Sequence, residues 1–591
     1  MVRSATLLGI ALAIVGCVQP SITEKRTPRI NGGGEQAHPP GIEIMPVARV
    51  QELVKQAQAE GRTLGATGYS VFHGARIEKF DAQVIDIMAN FLPQRHLILV
   101  RLKEDNPVVA KAGVIAGMSG SPLYIDGKMI GALAYAMGRF GKEAVAGIMP
   151  IEYMIEDARR ATVETGMAPR YSELGLTPVE TPIMVSGISG RTLSRITEEL
   201  KSRNMVVVPS GSGSLTHEIP DRFSPGSAIG AVLVDGDMDM TGIGTVTYVE
   251  GDEVIAFGHP FFGTGTVDMP IATASIHTVF PSINLSFKMG SPVKVVGALT
   301  QDRATCIAGL RGRSSRMIPV SIEYRNLEEK LSRTMKVRIV RDPDWFPFLL
   351  RSVLSSGLET FDPTDKPRTT LTRMKIKLEG GREAVLEDLV ASNPVGGATF
   401  SGGTAESVTQ LLQILRNPHE KAAVESIEVV NEHVAEAKVA VLREAWALAP
   451  EVAEGAAAIV RLRLSRWRES DDYRDIEIPL PRDAAAGTEV TIEIAGGSHV
   501  DPQRPPATSL DEMLESLKKI YRPTSVVATI GVPGFTFLYK GRTLDRVPSS
   551  MAAQLIPGLV ERGIVAVTPH RKVVDTDWII KGAAQVTIRV K

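Results

Sequence analysis

Short runs of alternating apolar and polar residues dominate the chain, with turn residues between them. Tyr69 to Phe72, Ala82 to Met88 and His96 to Leu102 read as strands, because β-branched and aromatic residues recur with a period of two. Leu123-Tyr124-Ile125 and Met129 to Ala136 flank Asp126-Gly127, a dipeptide that suits a two-residue hairpin turn. The same pattern resumes at Ala228 to Val234, Gly242 to Val249, Glu253 to Phe257 and Val293 to Leu299. Helical spacing is rarer. It predicts helices over Glu152 to Ala161 and Thr192 to Arg203, and further on over Trp345 to Ser356, Ala405 to Leu415 and Leu510 to Ile520.

Past Arg313 the pattern loosens into a mixed α/β accessory region, 313–420, in which Met317 to Tyr324 and Thr334 to Val340 read as paired strands. From 421 to 497 alternation is regular again (Ser426 to Val430, Ala435 to Leu442, Ala457 to Leu464, Asp475 to Ile478, Thr488 to Ile494), and strands at that spacing predict a β-sandwich. A Gly- and Pro-rich linker separates it from a C-terminal α+β domain, 503–591. The expectation is a mainly β, multidomain protein.

The first residues follow a different rule. Arg3 precedes an apolar run from Leu7 to Val15, too short to span a bilayer and suited to a signal peptide. Ile14-Val15-Gly16-Cys17 resembles a bacterial lipobox. That resemblance implies a lipoprotein signal over 1–17, acylation of Cys17 and a lipid anchor in the membrane. Val18 after the cysteine points to the outer membrane or periplasmic side of the cell envelope. Residues 18–40, rich in Gly and Pro, read as a tether.

Composition removes several functions. Of 591 residues, 66 are Lys or Arg and 67 are Asp or Glu, so no net positive charge favours nucleic acid. The two cysteines, Cys17 and Cys306, make neither a disulfide framework nor a four-thiolate zinc site. The ten histidines include no HExxH spacing. No cofactor or metal is expected, and nothing in the sequence fixes an oligomeric state.

The candidate chemistry lies in Gly117-Met118-Ser119-Gly120-Ser121-Pro122. A serine between glycines, closed by proline and followed by a hairpin, reads as a nucleophile loop. Its glycines allow a tight turn that brings N–H groups to a substrate carbonyl. Ser119 is the nucleophile by position, Ser121 is structural, and the N–H groups of Gly117 and Ser119 form the oxyanion hole. A serine needs a base. His259, framed in Phe257-Gly258-His259-Pro260 at the end of an apolar strand, is chosen over His73 and His277. Asp302 is the expected carboxylate partner, with Asp268 as the alternative. The small residues of Ala132 to Ala136 suggest a strand edge on which an extended peptide could add.

Three segments carry a family resemblance: Gly117 to Pro122, Gly242 to Tyr248 with Phe257-Gly258-His259, and Thr300-Gln301-Asp302-Arg303. Together they make residues 41–312 resemble the SpoIVB-type serine peptidases, which are chymotrypsin-like. The resemblance implies a double β-barrel, a Ser119–His259–Asp302 triad and protein or peptide substrates. The order departs from the family, since Ser119 here precedes His259, so the serine-bearing and histidine-bearing halves are expected in swapped sequence. The rival expectation is a catalytically inactive peptidase-like scaffold or binding lipoprotein of the envelope.

Overall fold

The computed structural model describes residues 43–591, apart from 138–142, 161–174, 189, 212–220, 362–366, 393–404, 467–468, 482–483, 503–506, 519, 532–534, 540–541, 558–563 and 567–569. The signal peptide, Cys17 and the tether lie outside the described residues.

Two closed antiparallel barrels form the first half. The first comprises β1 (Leu64–His73), β2 (Arg76–Leu92), β3 (Arg95–Leu102), β4 (Pro122–Ile125), β5 (Lys128–Met137) and β6 (Val145–Pro150). Pairing runs β4-β1-β2-β3-β6-β5 and returns to β4, so the sheet has no open edge within the ring. Phe80, Ile98, Val100, Leu123, Leu133 and Ile148 fill it. The hairpin joining β4 to β5 turns on Asp126 and Gly127, with φ of 47° and 75°. Two positive φ values in succession are the geometry that Asp-Gly favours.

The second barrel repeats the scheme with β7 (Ala228–Gly236), β8 (Asp239–Glu250), β9 (Glu253–Ala256), β10 (Gly265–Phe280), β11 (Ser286–Arg303) and β12 (Cys306–Arg311). Its ring is β8-β9-β12-β11-β10-β7, closed by β7 on β8. Tyr69 and Tyr124 of the first barrel share a buried cluster with Ile243, Ile255 and Cys306 of the second. Two six-stranded antiparallel barrels in tandem, packed through an apolar seam, are the mainly β, chymotrypsin-like architecture expected from the sequence.

The second barrel does not end at its ring. β7 also pairs with Leu331–Val340, which pairs with Met317–Asn326. That strand pairs in parallel with Val424–Val434, and Arg368–Leu378 and Glu383–Ser392 end this side of the sheet. Helix Phe346–Phe361 covers it with Leu349, Leu350, Val353 and Leu354 buried.

The sandwich boundaries drawn from local pattern therefore shift. Val424–Val434 belongs to the barrel-2 sheet, because Val424, Ile427 and Val429 bury against its core. The sandwich comprises Val439–Ala447, Ala457–Arg466, Asp472–Pro479 and Ile579–Lys581 in one sheet. Its other sheet holds Glu451–Val452, Glu489–Gly496, Ser525–Gly531, Arg571–Asp575 and Ala583–Val590. Both sheets contribute to one core, including Val460, Leu462, Ile492 and Ile588. Much of the segment read as a separate C-terminal domain thus completes the sandwich.

Candidate active site

The nucleophile loop lies at the seam, immediately before β4. Gly117 and Gly120 have φ of 92° and 93°, values that an L side chain rarely adopts. Space makes a second demand at Gly120, where a Cβ would stand 1.9 Å from Thr245 O and 2.6 Å from Phe257 N. Three amides of the loop are engaged within the protein. Met118 N–H donates to Ile115 O, Gly120 N–H to Leu133 O and Ser121 N–H to Met118 O. The N–H groups of Gly117 and Ser119 take no part in these bonds.

His259 follows β9 through a strained turn. Phe257, fully buried, has φ of 71°, and Gly258 has φ of 75°. A bulky residue in the left-handed region is uncommon and costs free energy that the surroundings must offset. Here Phe257 fits because Gly244 lacks a side chain: a Cβ there would lie 2.2 Å from the Phe257 ring. The ring packs at 5.8 Å, centroid to centroid, from both His259 and Phe261.

His259 Nδ1 lies 2.8 Å from Pro260 O. A carbonyl only accepts, so Nδ1 carries the proton and Nε2 presents its lone pair. Burial lowers the pKa of the imidazole to about 4, keeping it neutral at pH 7.

Thr245 on β8 joins the two segments. Its N–H donates to Ser119 O at 2.9 Å, and its carbonyl accepts from Phe257 N–H at 3.3 Å. The loop of one barrel and the histidine turn of the other therefore meet on the same edge of β8. Ser119 Oγ and His259 Nε2 are both buried, and neither has a hydrogen-bond partner among the described residues. The backbones are brought together, while the hydroxyl–imidazole hydrogen bond is not formed in this closed arrangement.

Asp302 differs from expectation in its contacts. One carboxylate oxygen accepts from Phe261 N–H at 2.8 Å, and the other accepts from Phe262 and Gly263 N–H at 2.7 and 2.9 Å. The Nδ1 position expected for Asp302 is taken by the Pro260 carbonyl. Asp302 thus braces the turn that carries His259. Burial raises its pKa to about 6, against the lowering effect of those N–H donors.

The other candidates lie elsewhere. His73 Nδ1 sits 3.0 Å from His277 O, and His277 Nε2 sits 2.9 Å from Ser291 Oγ. Asp268 accepts from Arg316 N–H. The Ser121 hydroxyl is engaged within the protein, with Met118 O at 2.7 Å and Ser70 Oγ at 2.9 Å as acceptors. The strand Ala132 to Ala136 has no free edge for an incoming peptide. It pairs with β4 and β6 and, at its end, with Leu176–Pro178. Among the described residues no cluster of His, Cys, Asp or Glu could hold a metal.

Sequence reading missed three residues behind the loop: Ser70, Thr245 and Lys288. Each sits in an apolar strand pattern, where a single polar residue gives no signal of its partners.

Residues 36–154 match the model of the SpoIVB peptidase S55 family. The likeness is to serine peptidases. It takes in the whole first barrel with the Ser119 loop and stops short of His259. No curated protein and no solved structure matches the chain.

Proposed function

We propose that the protein is a serine endopeptidase of the bacterial envelope, tethered through acylated Cys17, that cleaves protein or peptide substrates. The SpoIVB-family match over the serine-bearing barrel supports the reaction class. The observation that supports the assignment of residues is the bridge at Thr245, whose N–H and C=O hold the Ser119 loop and the His259 turn side by side on the same edge of one strand.

In this reading His259 Nε2 takes the Ser119 proton as Oγ attacks the carbonyl carbon. The Gly117 and Ser119 N–H groups stabilise the oxyanion. His259 then protonates the leaving amine, and water releases the acyl group from Ser119 by the same route. Asp302 acts through the Phe261–Gly263 backbone, and the Pro260 carbonyl sets the tautomer. The serine-bearing barrel precedes the histidine-bearing one, and a triad depends on geometry rather than chain order. A groove of about 700 Å³, lined in part by Ala116, Ala136, Val179 and Leu285, reaches the residue before the loop, and neither Ser119 nor His259 lines it.

One observation favours the rival reading of an inactive scaffold: Ser119 and His259 are both closed off from solvent. A fluorophosphonate probe separates the two. Labelling that disappears in Ser119→Ala and falls at least a hundredfold in His259→Gln supports the peptidase. A folded wild-type protein that is never labelled, with or without peptide present, supports the scaffold.

A further inference from the structure

Lys288 enters the seam from β11 and is fully buried. Its Nζ donates to Ser70 Oγ at 2.9 Å and to Thr245 Oγ1 at 3.2 Å. No carboxylate lies within ion-pair distance among the described residues, and the Phe72 ring centroid is 5.9 Å away. Burying an ammonium without a counter-ion is costly, and an apolar side chain would fill the same space without that cost. Packing alone gives no reason for a lysine here.

The hydrogen bonds beyond it supply one. The Thr245 hydroxyl donates to Gly117 O at 2.9 Å, so its one proton is committed and it accepts from Lys288. The Ser121 hydroxyl has Met118 O at 2.7 Å and Ser70 Oγ at 2.9 Å as acceptors for its one proton, and Ser70 Oγ also accepts from Lys288, while Ser121 N–H donates to Met118 O as well. Both branches begin at the same nitrogen and end on consecutive carbonyls of the nucleophile loop. A trans peptide points its C=O and N–H in opposite directions. Fixing Met118 O against Ser121 therefore turns the Ser119 N–H to the other side, where the oxyanion would form.

We propose that Lys288 is a positioning residue of the peptidase site: through Ser70–Ser121 and through Thr245 it locks the Gly117–Ser121 loop with the Ser119 N–H aimed at the substrate oxygen. Its catalytic consequence rests on the reading of Ser119 as nucleophile. The conformational lock does not.

The test uses the full chain with Lys288→Met, and Ser70→Ala as a second variant that cuts one branch. Four quantities are measured: the fluorophosphonate labelling rate, kcat and KM on a peptide substrate, and amide hydrogen exchange over residues 117–121. Lys288→Met is expected to label about tenfold or more slowly, as for a misplaced oxyanion donor. The loss should fall on kcat with KM within about twofold. Loop amides should exchange faster, and Ser70→Ala should show smaller changes in the same direction. A folded Lys288→Met with wild-type labelling and wild-type exchange overturns the proposal. Should Lys288→Met not fold, Ser70→Ala with unchanged exchange and kcat overturns it. Should the wild type itself never label, Ser119 fails as the nucleophile, and loop exchange alone then decides the lock: faster exchange in the variants upholds it, and unchanged exchange ends it.

Discussion

Three buried ionisable residues at the seam are each shifted toward the neutral form by desolvation: His259 and Lys288 downward, Asp302 upward. Lys288 gives the sharpest consequence. Its pKa falls from 10.5 to about 7. Below pH 7 both the folded and unfolded chains carry the proton, and the folded state bears the full cost of the buried charge. Between pH 7 and 10.5 the unfolded chain retains the proton that the folded chain has released, so this residue makes stability rise with pH. Lys288→Met lacks that dependence. The difference in Tm, variant minus wild type, should therefore be most positive near pH 6 and shrink steadily toward pH 10. Thermal scans across that range check it, and a difference independent of pH would mean that Lys288 is not a buried base. Ser119 and His259 stand out as candidates in the sequence because glycine and proline frame them. Lys288 does not, since its meaning comes from strands far apart in sequence.

At the scale of elements, strand existence was easier to read than strand membership. Asp126-Gly127 specifies its own turn, and the hairpin forms as predicted. Val424–Val434 has an equally clear alternation, yet it joins the barrel-2 sheet in parallel register with Met317–Asn326. Alternation identifies the face that will be buried but not the sheet that buries it. Asp302 shows the same limit for a site. The family resemblance implies a triad with His259, while the fold delivers Asp302 to the backbone of the following turn. The loop glycines allow a direct comparison of local and long-range demands. Gly127 has φ of 75° with nothing within 4 Å of an added Cβ, whereas Gly120 has φ of 93° with Thr245 O at 1.9 Å. Gly127→Ala should cost about 1 to 2 kcal/mol through backbone strain alone. Gly120→Ala must also push the loop off β8, and should cost more than about 3 kcal/mol and abolish labelling of Ser119. Denaturant unfolding of the two variants measures the gap. Equal costs would show that the loop is not held against Thr245 as described.

At the scale of the molecule, the two barrels place Ser119 and His259, the two halves of the proposed site, on their shared seam, and this creates a problem of access. Ser119 Oγ is completely buried, and His259 is 2% exposed. Each barrel is a closed ring with a packed core, so neither opens readily by itself. The weaker place is the seam, where the Ser119 loop meets β8 through the Thr245 N–H and the hydroxyls of Thr245 and Thr247. A substrate or probe therefore has to meet a form in which the loop and the histidine turn have separated enough to admit a carbonyl. A site reached only through a minor conformation reacts at a rate set by probe concentration when the probe is scarce, and by the opening step when it is abundant. The observed rate of fluorophosphonate labelling should thus rise with probe concentration and then level off. The plateau should be the same for two probes of different intrinsic reactivity, because opening precedes chemistry. Binding to an already exposed serine would also saturate, but its plateau would differ between the probes in proportion to their reactivity. That second pattern would place the open form, not the closed one, as the resting state of the protein.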